Sequence, residues 1–153
     1  MALALARRGT GRWALGRAGW RDDYDRALAM ARSADPMSHA RVLAYAYGSA
    51  IPAGVLLADD AALRDIEEAL ETAERSGEDI SLCFARMTLG LALVHRESPA
   101  ERDRGLAVLG RSATCDWRGG SSWPIYLWSR SAWLVRRLSA EIAMAPYRSC
   151  ARP

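Results

Sequence analysis

The chain contains no lysine, no asparagine and no glutamine, so all 21 of its basic residues are arginine. It has one phenylalanine, two histidines and three widely spaced cysteines. An odd, scattered cysteine set does not make a disulfide framework. His39 and His95 stand in no metal-ligand spacing, and no CxxC or HExxH pattern occurs. No apolar run approaches the roughly 18 to 20 residues that a membrane helix needs. A phosphate-cradling glycine loop is missing too: Gly9, Gly11, Gly16 and Gly19 are loosely spaced and follow no strand. The opening Met1-Ala2-Leu3-Ala4-Leu5-Ala6 is apolar for only six residues and precedes Arg7 and Arg8. A secretory leader has its charges first and a longer apolar stretch, so the expected compartment is the cytoplasm.

What is present is a 153-residue chain that is 50% hydrophobic, enough for one domain with a real core. Alanine, arginine, glycine and proline make up 68 of the 153 residues. These are the products of GC-rich codons, which predicts a high-GC genome such as an actinobacterial one. Charge is uneven. Residues 1–115 carry 15 arginines against 16 acids, whereas 116–153 carry 6 against 2. Trp117, Trp123, Trp128 and Trp133 crowd into the same late stretch. Two regions follow: a module over 1–115 and a basic tail over 116–153 rich in tryptophan, arginine and serine.

The module reads as all-α. Good helix formers fill 2–17, weakened by Gly9 and Gly11. Trp20, Tyr24, Ala27, Leu28 and Ala31 form a helical stripe over 20–34, with acids in its first turn. Asp35-Pro36 is a cap followed by a first-turn proline. The next segment, about 37–58, should be kinked or split by Pro52 and Gly54. Over 60–76, capped by Asp59 or Asp60, Ile66, Ala69, Leu70 and Ala73 face inward while Glu67, Glu68, Glu71 and Glu74 face water; Gly77 ends the run. Ile80, Phe84, Met87, Leu91 and Val94 continue over 79–95. Ser98-Pro99-Ala100-Glu101 predicts a capping box opening 99–114. Ile66, Leu70, Phe84, Met87, Leu91, Leu106 and Leu109 are the expected core, and Gly90, Ala92, Ala46 and Ala50 should let helices approach closely. Short loops make these antiparallel helical hairpins, a tetratricopeptide-like array without a strict 34-residue period.

Chemistry is sparse. Cys83 with His95 would suggest a nucleophile and its base, but a buried cysteine and a histidine at a helix end explain both. Arg7, Arg8, Arg12 and Arg17 form a basic stripe that suits nucleic acid, yet arginine must supply every exposed cation here. No catalytic, cofactor-binding or metal-binding residue is singled out, and no cofactor is expected.

Several stretches carry a family resemblance: Leu3-Ala4-Leu5-Ala6, Trp13-Ala14-Leu15-Gly16-Arg17, the run from Ala58 to Leu70, Thr88-Leu89-Gly90-Leu91-Ala92-Leu93-Val94-His95-Arg96, and Asp103-Arg104-Gly105-Leu106. On these, residues 3–115 resemble the C-terminal helical region of large actinobacterial, especially mycobacterial, regulators. Those proteins carry a class III adenylate or guanylate cyclase domain, or a LuxR-type DNA-binding domain, together with an ATPase domain. The resemblance implies a noncatalytic helical-repeat module from a signalling or transcriptional regulator. Its partner would be another protein, or the ATPase or cyclase part of a related regulator, held on the concave surface of the hairpins. Neither the cyclase's paired metal-binding aspartates on a sheet nor the ATPase phosphate loop lies in these residues, so no enzyme activity is expected.

In the family the helices continue past Cys115 through a segment resembling Gly-Asp-Arg-Asp-Gly-Ala-Ile-Pro-Val-Met-Arg-Ala-Ala. Codons chosen for residues 140–153, read from their third base, encode that segment. The tail is therefore expected to be an out-of-frame reading of a decayed gene, contributing nothing to function, with its tryptophans partly exposed. The alternative is a small basic nucleic-acid-binding protein that uses the arginine stripe and the tail.

Overall fold

A computed structural model describes residues 1–112 of the chain. Six helices follow in order: α1 (Ala2–Ala14), α2 (Trp20–Ala31), α3 (Pro36–Ala50), α4 (Asp60–Ser76), α5 (Asp79–Val94) and α6 (Pro99–Ser112). No strand occurs among the described residues. The all-α expectation therefore holds over this range. Predictions about the tail, including its tryptophans, fall outside the described residues.

The helices pair as hairpins. Each packs on its neighbour in sequence, and α3 also packs on α1 and on α5. One layer therefore contains α1, α3 and α5, and α2, α4 and α6 lie beside it. Ala2 and Pro36, the first residues of α1 and α3, are 34 positions apart, but Pro36 and Asp79 are 43 apart. The nine-residue link 51–59 lengthens the second unit and breaks the period.

Three boundaries differ from the sequence reading, each for a local reason. α1 stops at Ala14 rather than running to 17. Gly16 takes the left-handed conformation (φ +64°), while the Arg17 and Gly16 N–H groups donate to the Arg12 and Trp13 carbonyls at 2.8 and 3.0 Å. This is a Schellman stop. The same device ends α3, which is neither kinked nor split but terminated before 58: Gly54 has φ +70°, and Val55 N–H reaches back to Ala50 O at 2.9 Å. Val55 then packs on Ala46 and Ala50, the apolar contact that accompanies this motif. α2 ends at Ala31 rather than 34: after Arg32 the chain tightens into a turn, the Ala34 N–H donating to the Ala31 carbonyl at 2.9 Å, before Pro36 holds Asp35 extended (ψ 156°). The starts agree with the sequence: Asp35 Oδ1 accepts from Ser38 N–H at 2.9 Å and Asp59 Oδ1 from Ala62 N–H at 2.8 Å.

The predicted capping box at α6 is only half formed. Ser98 Oγ accepts from Glu101 N–H at a long 3.5 Å, but the Glu101 carboxylate accepts from Arg96 Nε at 3.2 Å instead of reaching back to the Ser98 N–H. A guanidinium outcompetes a neutral amide for a carboxylate. Arg96 also donates to Ala58 O and Asp60 Oδ1, both at 2.8 Å, so one side chain ties the end of the 51–59 link to α4 and α6.

Of the seven expected core residues, Ile66, Met87, Leu91 and Leu109 are buried. Leu70, Phe84 and Leu106 are only half-buried, and Ile80 is exposed. On α5 Met87, Leu91 and Val94 of the expected stripe are buried, and Ser81, Ala85, Thr88 and Leu89 are buried beside them. Ala85 packs with Ala40 of α3 and Ala73 of α4, and the half-buried Phe84 and Leu70 cover that cluster. Ser81 is satisfied by Glu78 at 2.6 Å and Thr88 by the Phe84 carbonyl at 2.8 Å, so burying their hydroxyls costs little.

Candidate functional site

The α1–α2–α3 junction is organised by polar groups within an apolar setting. Tyr24 is buried, and its ring lies against Gly9, where a Cβ would come within 2.8 Å of Cδ1. Its hydroxyl accepts from Trp13 Nε1 at 2.6 Å and lies 2.9 Å from Thr10 Oγ1. Asp23, on the same helix, is buried as well. Its carboxylate binds Arg8 Nε at 3.0 Å and Arg12 Nη1 at 2.8 Å. The Arg8 hydrogen bond dominates in holding Asp23 below the usual carboxylate range, against the opposing effect of burial. The sequence offered Asp23 as one of the first-turn acids of its helix, and Arg8 and Arg12 as part of a basic stripe. The structure assigns all three to one ion-paired unit.

A cleft of about 350 Å³ opens beside this junction. Trp20, Tyr24 and Leu28 from α2 form one wall. Val55, Leu56 and Leu57 from the 51–59 link form the other. Tyr47 of α3 and the first turn of α4, Ala61 and Ala62, complete it, and Arg21, Asp25 and Asp59 add charge. Local sequence explains each placement. The stripe on α2 sends Trp20 and Tyr24 to one side, their rings edge to face at 73° and 5.8 Å. The Schellman stop at Gly54 turns the chain, so that Val55 and Leu56 fold back on α3 and Leu57 projects with 81% of its surface exposed. Tyr47 is oriented by donating to Asp65 Oδ2 at 2.9 Å, and Asp65 also binds Arg32 at 2.7 Å. Burial, with the Asp65 carboxylate beside it, raises the Tyr47 phenol well above its usual range. Tyr47 is therefore a neutral hydrogen-bonding wall at any physiological pH.

No family model, curated protein or solved structure matches this chain. The walls of the cleft are aromatic and aliphatic, and the polar groups on its lining residues are two carboxylates, a guanidinium, an indole N–H and two phenols. No cluster of three or more His, Cys, Asp or Glu side chains able to hold a metal occurs among the described residues. Cys83 and His95 are not brought together. They lie twelve positions apart along one helix axis, about 18 Å, and His95 Nδ1 is already 2.8 Å from the Leu91 carbonyl at the helix end. The arrangement suits binding an apolar or aromatic group from a partner. Sequence reasoning missed the cleft because its walls come from helices and a link that only the fold brings together. The apolar run Val55-Leu56-Leu57 beside Gly54 was the available signal.

His39 lies away from the cleft, buried against α4 near Asp65 and Glu68, and its ring makes no hydrogen bond among the described residues. Burial pushes its pKa below the ordinary 6.5, opposed by Glu68 and then Asp65, with Arg32 adding to the depression. The fold thus prefers the neutral ring. Its contribution is complete above about pH 6.5 and is lost as pH falls through the lowered folded value, because the unfolded chain takes up the proton first. Thermal melts between pH 7.5 and 5 should show wild type losing more stability than His39→Leu. Parallel curves for the two proteins would contradict this account.

Proposed function

We propose that this chain is a noncatalytic helical-repeat module that binds a partner protein, a cytoplasmic remnant of the sensor region of a cyclase- or LuxR-type regulator. The observation that carries the binding role is the cleft: an aromatic and aliphatic pocket at a surface with an exposed leucine on its lip. Apolar surface held open in this way is what a partner's anchoring side chain fills. The regulator origin rests on the resemblance of residues 3–115, and an adjacent upstream reading frame encoding a cyclase or ATPase domain would support it. Nucleic-acid binding is the weaker reading, because Arg8 and Arg12 are committed to Asp23 and the stripe does not stand free.

A random-peptide library panned on the immobilised full chain tests the binding role. Leu57→Ser should leave the helical circular dichroism unchanged, since that side chain is mostly exposed. It should weaken enriched peptides by about tenfold, the effect of losing one apolar contact of roughly 1 to 2 kcal/mol. Ala61→Arg, on the exposed first turn of α4, should block them. Peptides indifferent to both substitutions, or no enrichment, would refute the reading.

A further inference from the structure

We infer that the cleft selects a protein segment in which a bulky apolar residue stands beside an arginine or lysine. The inference rests on the binding role just proposed and names the partner's chemistry. The apolar half follows from Trp20, Tyr47 and Leu56, which are half-buried and leave ring and aliphatic surface facing the cleft. The basic half follows from the charge left over once each charged group is matched to its partner. Arg21 is the only cation in the lining, and its guanidinium lies 4.4 Å from the centre of the Trp20 ring. It is held over an aromatic face and is not set out to receive an anion. The N-terminus of α4 would attract an anion by its dipole, but Asp59 already caps it and Asp60 stands in its first turn. Asp25 is different. It is exposed, it lines the cleft one turn from Arg21, and it has no ion pair or hydrogen bond among the described residues. The cleft thus offers one uncommitted carboxylate, and a second in Asp59 with one oxygen given to the cap. An incoming cation completes this arrangement; an incoming carboxylate is repelled.

The test uses two labelled twelve-residue peptides in fluorescence anisotropy with the full chain. Both carry a central Leu-Trp pair, followed in one by arginine and in the other by glutamate. The arginine peptide should bind about fivefold tighter at low salt, the scale of one exposed ion pair, and its advantage should shrink as salt rises. Asp25→Arg should cancel or reverse the preference; the residue is exposed and has no hydrogen bond or ion pair among the described residues, so the fold tolerates the change. Equal binding of both peptides, weakened by Leu57→Ser but not by Asp25→Arg, would overturn the inference and leave the binding role standing. If neither peptide responds to either substitution, the inference falls; if library-selected peptides are equally indifferent, the binding role falls with it.

Discussion

Tyr24→Ala is expected to lower stability by about 3 to 5 kcal/mol, the range for removing a large buried aromatic side chain. The ring fills the space that Gly9 leaves in α1, and the side chain packs with Ala46 and Ala50 of α3. Its hydroxyl receives the Trp13 indole N–H, meets Thr10, and lies 3.4 Å from the Tyr45 carbonyl. Truncation would leave a cavity at the meeting point of three helices and remove the acceptor for a part-buried donor. Tyr24→Phe separates the two contributions. It keeps the packing and removes only the hydroxyl, so it should cost about 1 to 2 kcal/mol, the penalty for stranding a polar partner. Denaturant titration of the three proteins checks this. A phenylalanine variant as unstable as the alanine variant would assign the energy to the network; one as stable as wild type would assign it to packing.

The sequence made the helices legible because each carries its own local signals. Asp35-Pro36, Asp59 and Gly77 mark boundaries by chemistry confined to four or five residues, and the structure places caps or ends at each. Gly77 turns left-handed at the end of a clear stripe and was read as a stop, whereas Gly16 and Gly54, equally left-handed, lie in apolar stretches where periodicity carried the helix past them. The inner face of α5 was misread only in its first two turns, and for another reason. Hydrophobicity favoured Ile80 and Phe84, but close packing favoured Ser81, Ala85 and Thr88, and packing is set by neighbours that the α5 sequence does not contain. The same holds for Asp23: nothing within 20–31 says that Arg8 and Arg12 will come to meet it. The cleft is a still longer-range product, since Trp20, Tyr47 and Leu56 converge only after α2, α3 and the 51–59 link have been arranged by the rest of the fold.

Two glycines within helices illustrate that limit and give opposite expectations for one substitution. Gly105 in α6 is buried at the crossing with α5, where an added Cβ would lie 2.8 Å from Val94 N, 2.9 Å from Leu93 Cβ and 3.0 Å from Gly90 O. Two of these three atoms are backbone, so the clash cannot be relieved by turning a side chain. The α5–α6 pair would have to separate, which also disturbs the partner glycine, Gly90, and Leu109 packed over it. Gly105→Ala should therefore lose about 1 to 3 kcal/mol through overpacking, more than the roughly 1 kcal/mol that alanine returns in helix propensity, and Gly105→Val should lose more still. Gly11 in α1 is exposed, and a Cβ added there would meet nothing within 4 Å. Gly11→Ala should accordingly stabilise by about 0.4 to 1 kcal/mol, since alanine narrows the unfolded ensemble without touching the fold. Helix propensity alone would rank the two substitutions alike. Thermal melts that shift in opposite directions would establish that α6 approaches α5 as closely as the backbone distances require. An upward shift for Gly105→Ala would show instead that the crossing is looser than this.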